Sequence, residues 1–392
     1  MRKSITAAFT AILLCGFASR AERIDEILTS IAANNVELKA MLKDAEARND
    51  DNRADNTLGG PSVEYSPFWQ KNVAGLSSSE LIVSQEFDFP TLYAARSKSS
   101  GLQAKAMSLQ YDAARRDVLL EAKQLCIDLV RLRNERELIE KRLGYACSVL
   151  EMLERKERAG ATTALEVNKS RMEKMSMEAA AQLNQSQQLS VMEALVAMNG
   201  SDSIAFDGID YPAELVLADY KEYCARALSY DAAIVAARGE VAAARQEVNV
   251  SRQSWLPAIN MGFRRNTAPG ESQNGFVVGL SFPVWSSKYR VRAAHARQVA
   301  AELRAEDAER TTETRMQAEY QEFVTLGKTI RAYDGELMTE TLRLLAKAVE
   351  AGQITVLEYF NESDVVYGKM QELIEARYQY HTVMASLTRS DL

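Results

Sequence analysis

Leu81-Ile82-Val83-Ser84-Gln85-Glu86-Phe87-Asp88-Phe89 alternates apolar and polar side chains. Leu81, Val83, Phe87 and Phe89 fall on one side, Ile82, Ser84, Glu86 and Asp88 on the other, and Gln85 alone breaks the rule. A period of two marks a strand with one face toward hydrocarbon or a core and the other toward water. Phe276, Val278, Leu280 and Phe282 repeat the pattern against Val277, Gly279 and Ser281. Val63 with Tyr65, and Ile259 with Met261 and Phe263, extend it to two further segments. The strands expected from this spacing cover residues 60–68, 79–89, 257–265 and 275–285. Each has about nine to eleven residues, the length of a tilted strand crossing a bilayer. All three tryptophans, Trp69, Trp255 and Trp285, fall at strand ends, where the aromatic belt of a membrane barrel sits. Four strands do not close a barrel and an open edge does not survive in lipid, so several subunits must contribute strands to one barrel.

Working outward, the strand pairs belong to two copies of one pattern. Phe87-Asp88-Phe89-Pro90 matches Leu280-Ser281-Phe282-Pro283, and Ala159-Gly160-Ala161-Thr162-Thr163-Ala164-Leu165-Glu166 matches Ala351-Gly352-Gln353-Ile354-Thr355-Val356-Leu357-Glu358. Pro61-Ser62-Val63 aligns with Pro257-Ala258-Ile259 at nearly the same offset. An internal duplication accounts for all three, with a first repeat over 22–200, a linker over 201–212 and a second repeat over 213–392. Each repeat is expected to run helix (24–55 and 213–254), two strands, then a long helical hairpin (91–199 and 286–389) broken at the Ala-Gly motif. The arm at 91–158 would be roughly 100 Å long at 1.5 Å per residue, more than a compact core requires. Val118, Ala122, Leu125, Leu129 and Leu132, continued by Ile139, Leu143, Ala146, Leu150 and Leu153, step by threes and fours as in a coiled coil. Val366, Met370, Leu373, Tyr380, Met384 and Leu387 form a similar seam interrupted by Arg377. A soluble antiparallel coiled coil would show the same seams, so the strands carry the distinction.

Composition narrows the function. The chain opens with Arg2 and Lys3, an apolar run from Ile5 to Ala18, and Ser19-Arg20-Ala21, the layout of a cleavable export signal over 1–21. Cys15 follows Leu14 rather than a small residue, so no acylated N-terminus is expected. Removal of Arg2, Lys3 and Arg20 with this segment moves the net charge from -7 to -10, which argues against nucleic acid as a partner. Beyond residue 21 no run of 18 apolar residues occurs, so membrane entry would be by strands. Cys126, Cys147 and Cys224 are odd in number and lack CxxC spacing; the first two would lie about 30 Å apart on one helix, too far to bridge. His295 and His381 are isolated, Met172, Met175 and Met177 share no narrow helical face, and no Walker loop, GxSxG or HExxH occurs. Neither an enzyme nor a cofactor or metal site is expected.

The order of pieces resembles the TolC-like outer membrane efflux proteins over essentially the whole chain beyond residue 21. The likeness is sharpest from Glu350-Ala351-Gly352 through Thr355-Val356-Leu357-Glu358 to Val366-Tyr367-Gly368-Lys369-Met370-Gln371-Glu372-Leu373 and Ala376-Arg377-Tyr378-Gln379-Tyr380. It implies a homotrimer in the outer membrane with a large periplasmic portion: a 12-stranded β-barrel, four strands per subunit, continued by a long α-helical barrel. It implies that tips built on Gly160, Thr163, Leu165, Gly352, Thr355 and Leu357 meet a periplasmic adaptor linked to an inner-membrane pump. An acidic mouth position of the family falls on Glu358; a second falls on Asn361, with Glu362 and Asp364 close by. Positions where some members place a tyrosine and an arginine to tie the mouth shut fall on Val349 and Ile354. The expectation is a passive duct for efflux or secretion gated at its periplasmic mouth; a periplasmic coiled-coil scaffold or adaptor with a small soluble sheet is the alternative.

Overall fold

The computed structural model describes residues 22–71, 74–206, 209–213, 220–283 and 287–392. The expected signal segment and Trp285 lie outside them. The elements are α1 (Glu22–Asn34), α2 (Val36–Ala54), β1 (Ser62–Phe68), β2 (Ser78–Phe87), α3 (Pro90–Arg158), α4 (Ala164–Met198), α5 (Tyr220–Tyr230), α6 (Ala232–Gln253), β3 (Ala258–Ala268), β4 (Glu271–Ser281), α7 (Ser287–Ala332), α8 (Gly335–Glu350) and α9 (Val356–Leu387), followed by a 3-10 turn at Arg389–Asp391.

Three expected helices are interrupted, each at an Asx residue. The Asn35 side chain accepts from the Leu38 N–H at 3.0 Å and divides 24–55 into α1 and α2. Asp231 accepts from Ala233 and Ile234 and divides α5 from α6. Asp334 accepts from the Leu337 N–H at 2.9 Å and starts α8, so the expected single helix 286–350 is α7 plus α8. A short side-chain acceptor offers the backbone an alternative to the helical bond, and the apolar periodicity on either side conceals the break. By contrast α3 is one helix of 69 residues, with Pro90 at the first position, where its missing N–H costs nothing.

The strands also differ from their expected bounds. β1 starts two residues inside the expected 60–68, and β2, expected over 79–89, runs Ser78–Phe87, because the Asp88 N–H donates to the Tyr93 hydroxyl of α3. β3 and β4 are longer toward their shared turn: Ala268 pairs with Glu271, so only Pro269 and Gly270 form the connection, with Gly270 at φ 87°. Asn266, Thr267, Ser272, Gln273 and Asn274 are paired in the ladder although none is apolar, and hydropathy alone therefore stops short of them.

Two compact units divide the chain. One comprises Met1–Lys39, Ala114–Arg226 and Glu313–Leu392; the other Ala40–Ala113 and Ala227–Thr312. In the first, Ile24, Ile27 and Ile31 of α1 pack on Leu119, Ala122 and Val130 of α3 and on Leu195 of α4. Residues of the linker join this unit: Ile209 is fully buried, and Tyr211 stacks on His381 with ring centroids 4.4 Å apart. Tyr380 meets the same imidazole edge-on. Burial pushes His381 down to about 4, leaving it a neutral packing residue at physiological pH. Burial likewise pushes the Cys126 thiol up to about 12, and all three described cysteines are free. In the second unit, Val241 of α6 packs on Ala301 and Ala305 of α7. A Cβ on Gly239 would meet Leu109 Cδ1 at 2.8 Å, so glycine is what lets α6 approach α3.

Candidate functional site

The sheet is antiparallel in the order β1-β2-β3-β4, leaving β1 and β4 as open edges. Its register sorts the side chains by polarity. Val63, Val83, Phe263 and Phe276 form one cross-strand row; Gln85, Met261 and Val278 form the next on the same face, and Phe87, Ile259 and Leu280 the one after. Tyr65 and Leu81 extend the face toward the turns, where Arg265 and Asn274 join their row. From Phe87 to Leu81 these rows span about 20 Å at ~3.4 Å per residue, near the height of a barrel's lipid-facing band. The opposite face carries Ser62, Ser84, Glu64, Ser66, Glu80, Arg264, Asn266 and Gln273, with Glu80 and Arg264 ion-paired across the ladder.

No residue of the four strands is buried. Phe276 is 91% exposed, Val278 71% and Val63 69%. A protein in water rarely leaves so continuous an apolar surface uncovered, and a sheet with two solvated faces and two open edges has nothing to hold it. Trp69 directly follows β1 and Trp255 stands three residues before β3, at opposite ends of the strands, and both are exposed.

The helical end of the first unit is built from two turns of the same design. α3 ends with Gly160 at φ 71°; Gly160 N–H donates to Glu157 O and Ala161 N–H to Lys156 O. α8 ends with Gly352 at φ 71°; Gly352 N–H donates to Val349 O and Gln353 N–H to Ala348 O. Both are Schellman endings, which need the left-handed residue that glycine supplies without strain. Each is followed by a capping box. The Glu358 N–H donates to Thr355 Oγ1 at 3.1 Å while the Glu358 carboxylate accepts from the Thr355 N–H at 2.8 Å. Thr163 and Glu166 repeat this at 3.4 Å in each direction, and the Thr162 hydroxyl donates to the same carboxylate. These donors hold both carboxyls below the usual carboxylate range.

Gly160, Thr163, Leu165, Gly352, Thr355 and Leu357 are all exposed. Glu358, Asn361 and Glu362, spaced i, i+3 and i+4, share the exposed face of α9. Behind them Leu153, Val167, Val349, Val356 and Tyr359 form a buried cluster with Ile354 packed against it. Both tips thus rest on one apolar core, and Val349 and Ile354 are part of it.

Asp364 is engaged elsewhere. Arg142 of α3 pairs with Glu173 of α4 at 2.7 Å and with Asp364 of α9, and its guanidinium lies 5.1 Å from the Tyr367 ring. This node links three helices and was not visible in the sequence, because its partners stand 31 and 222 residues from Arg142.

Residues 224–391 match the family model described as outer membrane efflux protein. The alkaline protease secretion protein AprF of Pseudomonas aeruginosa is 26% identical over 186 residues, a stretch that covers 43% of this chain and 38% of that relative's length. Among solved structures, a membrane protein from Pseudomonas aeruginosa superposes with a TM-score of 0.79 at 19% identity, covering 100% of this chain and 96% of the other. The outer membrane protein VceC of Vibrio cholerae superposes with a TM-score of 0.76 at 16% identity, covering 94% and 96%. Residues 224–391 thus carry the sequence pattern of outer membrane efflux proteins, and over its whole length the chain shares the fold of these solved membrane proteins.

Proposed function

We propose that this protein is the outer-membrane channel of a tripartite efflux or secretion system, a passive duct rather than an enzyme. The observation that carries the reading is the sheet: one face largely apolar, with Val63, Phe276 and Val278 exposed on it, the other largely polar, and both edges open. Copies joining β1 to β4 would close the edges, put the Phe276 face in lipid and leave the Glu80–Arg264 face around a water-filled lumen. The family resemblance supports three copies, which would give a 12-stranded barrel continued by helices into the periplasm.

The tips at Gly160 and Gly352 then form the periplasmic mouth. The exposed Leu165 and Leu357 side chains offer apolar contacts to a periplasmic adaptor, which would couple the duct to an inner-membrane pump. Glu358 and Glu362 supply carboxylates that favour cations over anions at a constriction. Glu358 has a second task, since its carboxylate also completes a cap. With Val349 and Ile354 in the apolar cluster, hydrophobic packing would hold the mouth where other members use polar ties. Extraction from the outer membrane tests the reading. A heat-modifiable trimer that requires detergent supports the duct, whereas a monomer fully soluble without detergent overturns it in favour of a periplasmic scaffold.

A further inference from the structure

In the second unit α6 and α7 are joined by regularly spaced ion pairs. Arg238 meets Glu309 at 2.7 Å, and Arg245 meets Glu302 at 2.8 Å. The step of seven residues toward the sheet on α6 matches seven on α7, and one further step of seven on each helix leads to Arg252 and His295. There the acid is missing. Among the described residues Arg252 has no ion-pair partner, and it is exposed, as are His295, Arg292 and Lys288.

Along α7 the charge pattern near this rung is one-sided, although Arg297 lines a groove that also holds Asp55 and Glu247. Residues 287–301 contain Lys288, Arg290, Arg292 and Arg297 and no acid before Glu302. Cations at a helix N-terminus oppose the macrodipole, so the local preference has been overridden in a chain whose net charge is -7. Such local conflicts concentrate where function overrides stability. Arg252 also lines a groove between α6 and the start of α3, together with Lys98 and Asn249. Arg252, Lys288, Arg290 and Arg292 stand close in the chain to the strand ends remote from the Pro269-Gly270 turn, where Trp255 and Tyr289 are also exposed.

We infer that the sheet-proximal ends of α6 and α7 form a cationic collar that binds the phosphate headgroups of anionic phospholipid in the periplasmic leaflet. The inference rests on the barrel reading above, and it adds the chemistry of the lipid. Charge complementarity and continuity with the apolar sheet face select lipid as the occupant: a polybasic segment beside an aromatic anchor at the bilayer surface attracts anionic headgroups.

The test offers the detergent-purified full-length protein equal amounts of phosphatidylglycerol and phosphatidylethanolamine and reads retained lipid by native mass spectrometry. Wild type is expected to retain phosphatidylglycerol preferentially, and the preference should weaken as salt screens it. The double variant Arg252→Gln/Arg292→Gln is expected to lose that preference by on the order of tenfold. His295→Glu completes the rung and should also reduce the preference, while leaving the melting temperature equal or higher. Membrane-inserted, heat-modifiable variants with the wild-type preference would overturn the collar and leave the barrel standing. An unchanged lipid preference with lost binding of an acidic periplasmic protein would assign the face to a protein and overturn it equally. Wild type that enters neither detergent micelles nor vesicles would overturn the barrel reading and the collar together.

Discussion

The two tips share a backbone and differ in what they do with it. Ala159–Glu166 and Ala351–Glu358 make the same Schellman ending and the same capping box. In the first, Thr162 spends its hydroxyl on Glu166, and Leu165 is 65% exposed. In the second, Ile354 occupies the place of Thr162 and packs into the apolar cluster, and Leu357 is 48% exposed. Two substitution pairs, Thr162 with Ile354 and the exposed Ala164 with the buried Val356, thus separate a more polar, outward tip from one sealed against its neighbours. The lesson is that the turn motif fixes the path of the chain, while the residues on either side of the capping threonine decide what the tip adheres to.

Removing the common support should have the largest effect. Leu153 is 1% exposed and packs with residues of both tips, so Leu153→Ala is expected to cost about 2–5 kcal/mol, read as a fall in melting temperature of the purified protein. Converting the second tip into the first comes next. Ile354→Thr removes apolar contact and should cost roughly 1–2 kcal/mol; in planar bilayers it should open the proposed mouth more often, and the equivalent Thr162→Ile should not. Gly160→Ala and Gly352→Ala sharpen the likeness instead. Neither Cβ would meet an atom within 4 Å, so both should show the same loss, about 1–2 kcal/mol for the left-handed backbone alone.

The smallest effects concern charge. Glu358→Gln keeps a side chain able to close the capping box and should leave the melting temperature nearly unchanged, while lowering the cation selectivity of single channels. Unchanged selectivity would leave Glu358 with capping as its only role. Both Glu166 and Glu358 are held below their ordinary range by donors of the fold. Their contribution is therefore complete above the unfolded carboxylate pKa and declines as pH falls through the lowered folded values. A melting series below pH 5 should show this small decline, and the double glutamine variant should flatten it.

Much of the architecture could be read in advance because it is local. Helical arms such as α3 announce themselves by steps of three and four, and the apolar face of β2 by a period of two. The glycine-threonine tips are legible for the same reason, since a left-handed residue and a cap are decided within a few positions. Where that reading stopped short, a nearby competitor was responsible. Asn35, Asp231 and Asp334 cap helices inside stretches whose apolar rhythm never falters. The polar ends of β3 and β4 are held by backbone bonds that do not depend on side-chain polarity.

The sequence by itself determined the element types, the two tip turns and which side chains could share a face, because chain geometry imposes those periods on neighbours. Only the tertiary structure decided that Val83 stands beside Phe263, that Arg142 spans to Glu173 and Asp364, that Val349 and Ile354 belong to one core, and that the ion-pair ladder between α6 and α7 stops one rung short of the sheet. Each of these unites residues far apart in the chain. Such pairings are fixed by the sum of many small contact energies over the whole fold, which no window of neighbouring residues contains.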